Sequence, residues 1–191
     1  TSTDVVRALK KRMNPTKIGH AGTLDPDATG LIPLALGEAT KAIPYLLKSR
    51  KKYEANFLFG LKTDTDDASG KTVKSSFYVP RKSEILEALN YYSELIFQIP
   101  PKVSAVKVKG KRAYERFKAK ENFQIKARYI KVYELSLLSY NKKGETLVHF
   151  ECGKGGYVRS IARDIGDFLG CFGHVRNCLL YTSPSPRDGR E

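Results

Sequence analysis

One carboxylate in this 191-residue chain stands where chemistry would want it. Asp25 follows His20-Ala21-Gly22-Thr23-Leu24 and precedes Pro26, in a run that continues through Asp27-Ala28-Thr29-Gly30 into the apolar stretch Leu31-Ile32-Pro33-Leu34. A proline holds the residue before it in extended geometry, and Gly22 and Gly30 permit sharp reversals on either side. A carboxylate on such a turn can face a cleft with its backbone fixed, as a nucleophile must. The same residues also build an ordinary surface turn whose aspartate is solvated or caps the backbone. Spacing alone leaves both readings open.

The bulk chemistry narrows the partner. A formal charge of +14 and a pI near 9.7 suit a polyanion, because each neutralised phosphate releases condensed counterions. The excess is uneven: eleven lysines and arginines stand against Glu115 and Glu121 between Lys102 and Lys131, a local charge of +9. Tyr114, Phe117, Phe123 and Tyr129 are interleaved, and such rings either stack on RNA bases or belong to the core. Lys109, Lys111 and Arg112 are the candidate phosphate contacts. Cys152, Cys171 and Cys178 lack metal-ligand spacing, so no metal and no disulfide framework are expected, and a reducing cytoplasm is the simplest setting. The acidic loop at 63–71 has its glycine misplaced for a calcium loop and Ser75 where the last glutamate would stand. No apolar run approaches a membrane span, and residues 1–6 do not form a signal peptide.

Elements must hold these residues in place. Periodicity predicts an amphipathic helix over 3–13 with Val5, Val6 and Leu9 inward, stopped by Asn14-Pro15. A helical stretch over 39–48, kinked or started at Pro44, is followed by a strand over 52–60 that alternates Tyr53, Ala55, Phe57 and Phe59. A second amphipathic helix is expected over 83–96, with Ile85, Leu89, Tyr92 and Ile96 in the core. Strands over 104–108 and 128–140 flank a short helix at 112–119, and a strand at 147–152 precedes a helix at 157–169. Helices and strands without strict alternation indicate an α+β domain with a mixed, largely antiparallel central sheet flanked by helices. His149 and His174 are expected to be structural.

The run around Asp25 resembles the signature of the TruB-type tRNA pseudouridine synthases, and further blocks follow in that family's order. They are Lys51-Lys52-Tyr53, Thr63-Asp64-Thr65-Asp66, Gln98-Ile99-Pro100-Pro101, Gly110-Lys111-Arg112-Ala113-Tyr114-Glu115, Gly153-Lys154-Gly155-Gly156-Tyr157-Val158-Arg159-Ser160 and Gly173-His174-Val175. The resemblance implies the pseudouridine synthase fold with a basic RNA-binding insertion. It implies an isomerase that converts uridine 55 of the tRNA T-loop by base flipping, without a cofactor or an obligatory protein partner, as a monomer. Asp25 would be the nucleophile, Arg159 its pairing cation, and Tyr53 the ring that stacks on the base and assists proton transfer. Tyr157 would line the uridine pocket, and His20 would fill the space left by the flipped nucleotide. Lys41 and Lys154 are expected to be structural or to touch phosphate. The alternatives are a guide-RNA-directed synthase and a non-catalytic RNA-binding or RNA-folding module.

The family also implies a strand with an Asp-Lys-Pro-x-Gly segment ahead of the first helix, and a C-terminal RNA-binding domain. Neither stands in this sequence. A Leu-Arg-Arg-like segment that would line the uridine pocket after His174-Val175 is replaced by Cys178-Leu179-Leu180. From Cys178 onward the sequence is turn-rich and resembles one reading frame of an adaptor used in DNA sequencing libraries. The expected division is therefore a catalytic domain over 1–177 and a non-native, loosely docked tail over 178–191.

Overall fold

The computed structural model describes residues 2–25 and 28–182. Helix α1 (Ser2–Met13) leads through β1 (Ile18–His20), β2 (Ala28–Gly30) and β3 (Leu34–Leu36) to a 3-10 helix (Gly37–Ala42) and α2 (Ile43–Leu46). Next come β4 (Lys51–Phe59), the hairpin β5 (Leu61–Thr63) and β6 (Thr72–Ser75), then α3 (Lys82–Tyr91) and β7 (Leu95–Gln98). The hairpin β8 (Lys107–Val108) and β9 (Lys111–Arg112) runs into α4 (Ala113–Lys118). The chain closes with β10 (Arg128–Tyr140), β11 (Glu145–Cys152), α5 (Val158–Phe168) and β12 (Gly173–Thr182).

Six strands form the central sheet in the order β2-β12-β4-β11-β10-β7. All neighbours are antiparallel except β12 and β2, so the sheet is mixed and largely antiparallel, as its sequence indicates. Alternation in β4 turns Ala55, Phe57 and Phe59 to one face, beside Val148 and Phe150 of β11 and Ile130 and Val132 of β10. Helices α3 and α5 cover that face with Ile85, Leu89, Ile161 and Ile165, set at helical spacing.

Several sequence expectations are corrected. The helix at 83–96 ends at Tyr91, because Glu94 takes a left-handed φ of 76° and reverses the chain. Ile96 is buried, but from β7, paired with Ile130. In α1 the half-buried residues are Val6 and Leu9, whereas Val5 is 45% exposed. The strand expected over 104–108 shrinks to Lys107–Val108.

The largest correction concerns the tail. The division at Asn177 falls inside β12, which runs to Thr182 and pairs on both sides. Cys178, Leu179 and Leu180 match Ala55, Glu54 and Tyr53 on β4, and Ala28, Thr29 and Gly30 on β2. Propensity missed this because a central strand needs only extended backbone between two partners, not polar alternation. Gly30 sits at φ +127° with no room for a Cβ, which would meet the Leu180 carbonyl. Residues 183–191 lie outside the described residues, as does Pro26. Ending the chain after Asn177 should therefore lower stability by about 3 kcal/mol, from lost Leu180 burial and ladder hydrogen bonds. Urea denaturation checks this, and an unchanged midpoint would show that this strand end is dispensable.

Candidate active site

Three separate pieces of chain converge on one guanidinium. Arg159 is the second residue of α5, and the backbone just before it is clamped by a buried side chain. Gln98 of β7 accepts from the Tyr157 N–H at 2.9 Å and donates to the Tyr157 carbonyl at 3.2 Å. With the helix start fixed, the Arg159 side chain is only 6% exposed and must find anions or carbonyls. It donates to Asp25 Oδ1 from Nη2 at 2.9 Å, while its Nε lies 2.7 Å from Oδ2, a two-pronged pairing with that carboxylate. The remaining edges of the group reach the carbonyls of Thr65 at 3.1 Å and Val103 at 3.0 Å, and Asp67 Oδ2 at 3.3 Å.

Asp67 was not singled out by the sequence, and the structure gives it a clear place. Its Oδ1 accepts from Thr65 Oγ1 at 2.6 Å and from the Ser69 hydroxyl and amide, so the carboxylate is fixed before it meets Arg159. Next to it, Asp66 pairs with Arg163 at 2.9 Å, and Val175 donates to the Asp66 carbonyl. The acidic loop is thus a pair of anionic posts for two successive arginines of α5. A run of aspartates normally reads as solvated, and the only sequence sign to the contrary was the i, i+4 spacing of Arg159 and Arg163.

Asp25 is 46% exposed, and it opens onto a cavity of about 410 Å³, the size range of small-molecule sites. Tyr53, Tyr157, Lys154, Cys178 and Leu180 contribute to its wall together with the loop from Ala21 to Asp25. The wall that the sequence left missing is supplied by β12. Burial pushes the Tyr53 phenol well above its ordinary pKa, with the neighbouring Cys152, Cys178 and Asp25 adding to the effect. Tyr157 is raised by burial too, partly opposed by Arg128 and Arg159. The Cys178 thiol is pushed up to about 12 by burial and by Asp25. Burial lowers Lys51, which also lines the cavity. Neutral rings and a neutral thiol thus stand beside the Asp25–Arg159 pair, on a wall that also carries Lys51, Lys154, Arg176 and Asp67. Tyr53 is further held by stacking on Phe150, with centroids 6.1 Å apart and planes 25° from parallel.

The other sequence candidates lie elsewhere. His20 does not line the cavity; its Nδ1 turns onto the carbonyl of Gly22, which does. Lys109, Lys111 and Arg112 are exposed on the β8–β9 hairpin, whose turn places Lys109 and Gly110 at positive φ. The hairpin hangs from the cavity rim: Tyr114 donates to the Ser104 carbonyl at 3.1 Å, and Arg112 to that of Ala105 at 3.4 Å. Lys111 and Arg116 are both occupied by Glu121. Among the interleaved rings, Tyr129 is exposed and packs on Phe97, while Tyr114, Phe117 and Phe123 are half-buried. His174 is buried, with Nδ1 3.1 Å from the Leu61 carbonyl, as a structural histidine would be. Away from the cavity, Glu134, His149 and Glu151 bring possible ligand atoms within 4.8 Å of one another, but Glu151 already faces Arg50 and Lys52.

Because Arg159 is buried against two carboxylates, removing it takes a counter-charge from each and leaves its own buried site unfilled by charge. Arg159→Met should cost about 3–5 kcal/mol of unfolding free energy. A chemical denaturation shift worth less than about 1 kcal/mol would mean that solvent already satisfies this pair.

Residues 10–158 match the N-terminal domain of the TruB family pseudouridylate synthases. The chain is 48% identical over 177 residues to the tRNA pseudouridine synthase B of Roseobacter denitrificans, and 44% identical over 185 residues to that of Bartonella bacilliformis. It spans 58% of the length of each of these curated relatives, and they cover 93% and 97% of it. The crystal structure of a Cbf5-Nop10-Gar1 complex superposes with a TM-score of 0.71 at 28% identity, over 94% of this chain and 44% of that one. An H/ACA RNP bound to a substrate RNA containing 2'-deoxyuridine gives 0.66 at 25% identity, over 94% and 42%.

Proposed function

The chain belongs to the TruB family of pseudouridylate synthases, and on that footing we propose that it isomerises uridine 55 to pseudouridine in the T-loop of tRNA. The observation that carries this reading is the Asp25–Arg159 pair at a cavity large enough for a flipped nucleoside. The relatives at 44–48% identity are named for tRNA, which favours a tRNA substrate over a guide-RNA-directed role. In this reading the protein acts as a monomer in the cytoplasm with tRNA as its partner. Among the described residues, no helix is long and apolar enough to cross a membrane.

The reaction breaks the N1–C1′ bond and forms a C5–C1′ bond. The base loses the hydrogen on C5 and gains one on N1, so product and substrate are isomers and no electrons change hands. A carboxylate nucleophile can hold the base or the sugar between these steps. Asp25 supplies it, and the arginine that touches both of its oxygens keeps it ionised and aimed. Asp67 acts through that arginine by fixing its opposite edge. Extrusion of the uridine from the loop costs stacking, which an aromatic ring partly restores. Tyr53, locked on Phe150 and neutral, offers that ring and a phenolic proton. Tyr157 closes the pocket beside it, and His20 stands behind Gly22 at the edge of the reactive loop. Lys109, Lys111 and Arg112 present charge to the RNA from a hairpin tied to the same rim.

Asp25→Asn should abolish pseudouridine formation on a tRNA transcript while leaving tRNA affinity within about twofold, since the loop geometry survives. Pseudouridine is read by mass spectrometry after chemical tagging, and retained turnover would end the nucleophile assignment. Replacing Lys109, Lys111 and Arg112 by Ala should flatten the salt dependence of binding by about one to two contacts, because Lys111 is already held by Glu121. An unaltered slope in anisotropy titrations would take the hairpin out of the interface.

A further inference from the structure

A second basic surface lies on α1, outside the segment that carries the largest run of charge. From Arg7 to Lys17 the chain holds Arg7, Lys10, Lys11, Arg12 and Lys17 and no acidic residue. Val6 and Leu9 are half-buried on the side of α1 that rests on β1, whereas Arg7, Lys10, Lys11 and Arg12 are all exposed. Arg7, Lys10 and Lys11 share one stripe by their i, i+3, i+4 spacing, and Arg7 pairs with Asp4 at 2.9 Å. Lys10, Lys11, Arg12 and Lys17 form no ion pair among the described residues. The hairpin differs in this respect, since Lys111 and Arg116 share Glu121 there. A polyanion meets free charge on α1 and partly engaged charge on the hairpin. The carbonyls at the end of a helix favour one or two cations in its last turn, but they do not account for a Lys17 beyond the helix or for the absence of every acid.

The position of this surface matters as much as its sign. Ser2, buried at the start of α1, accepts a hydrogen bond from the Leu24 N–H at 3.0 Å, one residue before Asp25. The helix is therefore fastened to the reactive loop itself. Its last turn stands about 15 Å along the axis from that joint, at 1.5 Å per residue. The hairpin is fastened to a different stretch of the cavity wall, at Ser104 and Ala105.

We propose that Lys10, Lys11 and Arg12 bind the backbone phosphates of the base-paired stem next to the flipped uridine, making α1 a second RNA grip that works with the hairpin. The inference rests on the RNA-modifying reading given above. The contacts are to phosphate, so they add affinity without base preference.

The test uses the full chain and an RNA stem-loop with a seven-base, uridine-containing loop. Lys10→Gln, Lys11→Gln and Arg12→Gln are combined, because Gln matches Lys and Arg in helix propensity and keeps α1 folded. Affinity should fall about tenfold at moderate salt, and the slope of log K against log salt should drop by about two to three. The single-turnover rate at saturating protein should stay unchanged. The charge-retaining set Lys10→Arg, Lys11→Arg and Arg12→Lys should restore both affinity and slope. Equal affinity and slope in the Gln variant, with an unaltered circular dichroism spectrum, would overturn the proposal. So would weakened binding that the charge-retaining set fails to restore, which would point to a packing role. If the unaltered chain binds the stem-loop but makes no pseudouridine, the catalytic reading fails while the α1 result stands.

Discussion

The buried guanidinium of Arg159 is the constraint around which the rest of the molecule is arranged. A permanent cation with almost no access to water must be met by anions and carbonyls from wherever the chain can bring them. Here they come from the loop after β1 (Asp25), the β5–β6 connection (Thr65 and Asp67) and the segment after β7 (Val103). Each of these is a loop, and loops are the parts whose positions secondary structure leaves least determined. One side chain on a well-buried helix therefore sets the geometry of three loop segments, and two of its partners, Asp25 and Asp67, line the cavity.

A second feature is the neutrality of the rings and the thiol beside that pair. Tyr53, Tyr157 and Cys178 all have their ionisation disfavoured, by burial above all. These three groups stay uncharged, so the charge on the cavity wall comes from Asp25 and Arg159 together with Asp67, Lys154 and Arg176. The alternation that buries β4 also delivers Tyr53, two positions before Ala55 and four before Phe57, to the sheet face that meets the cavity.

What the sequence made legible follows from how local each signal is. The β4 alternation and the α5 periodicity are carried by neighbouring residues, and both elements stand where expected. Asp25, Tyr53, Tyr157 and Arg159 meet at one cavity, which their scattered positions show only through family resemblance. The helix expected through Ile96 failed because a left-handed Glu94 leaves no mark on apolar periodicity. Asp67 was hidden because its partner lies 92 positions away on another element. Cys178-Leu179-Leu180 looked foreign because nothing nearby in sequence explains them; β2 and β4, which pair with them, do.

That last pairing fixes when the site can exist. The loop carrying Asp25 leads towards β2, and among the described residues the partner of β2 in the central sheet is the far end of β12, about 150 positions downstream. Contacts of such span form late, because their loop-closure entropy is met only after the intervening chain has folded. During synthesis at roughly 5–20 residues per second, the loop carrying Asp25 waits on the order of ten seconds for its partner strand to be made. The nascent chain thus carries the Asp25 loop without its seat until the sheet closes at its edge.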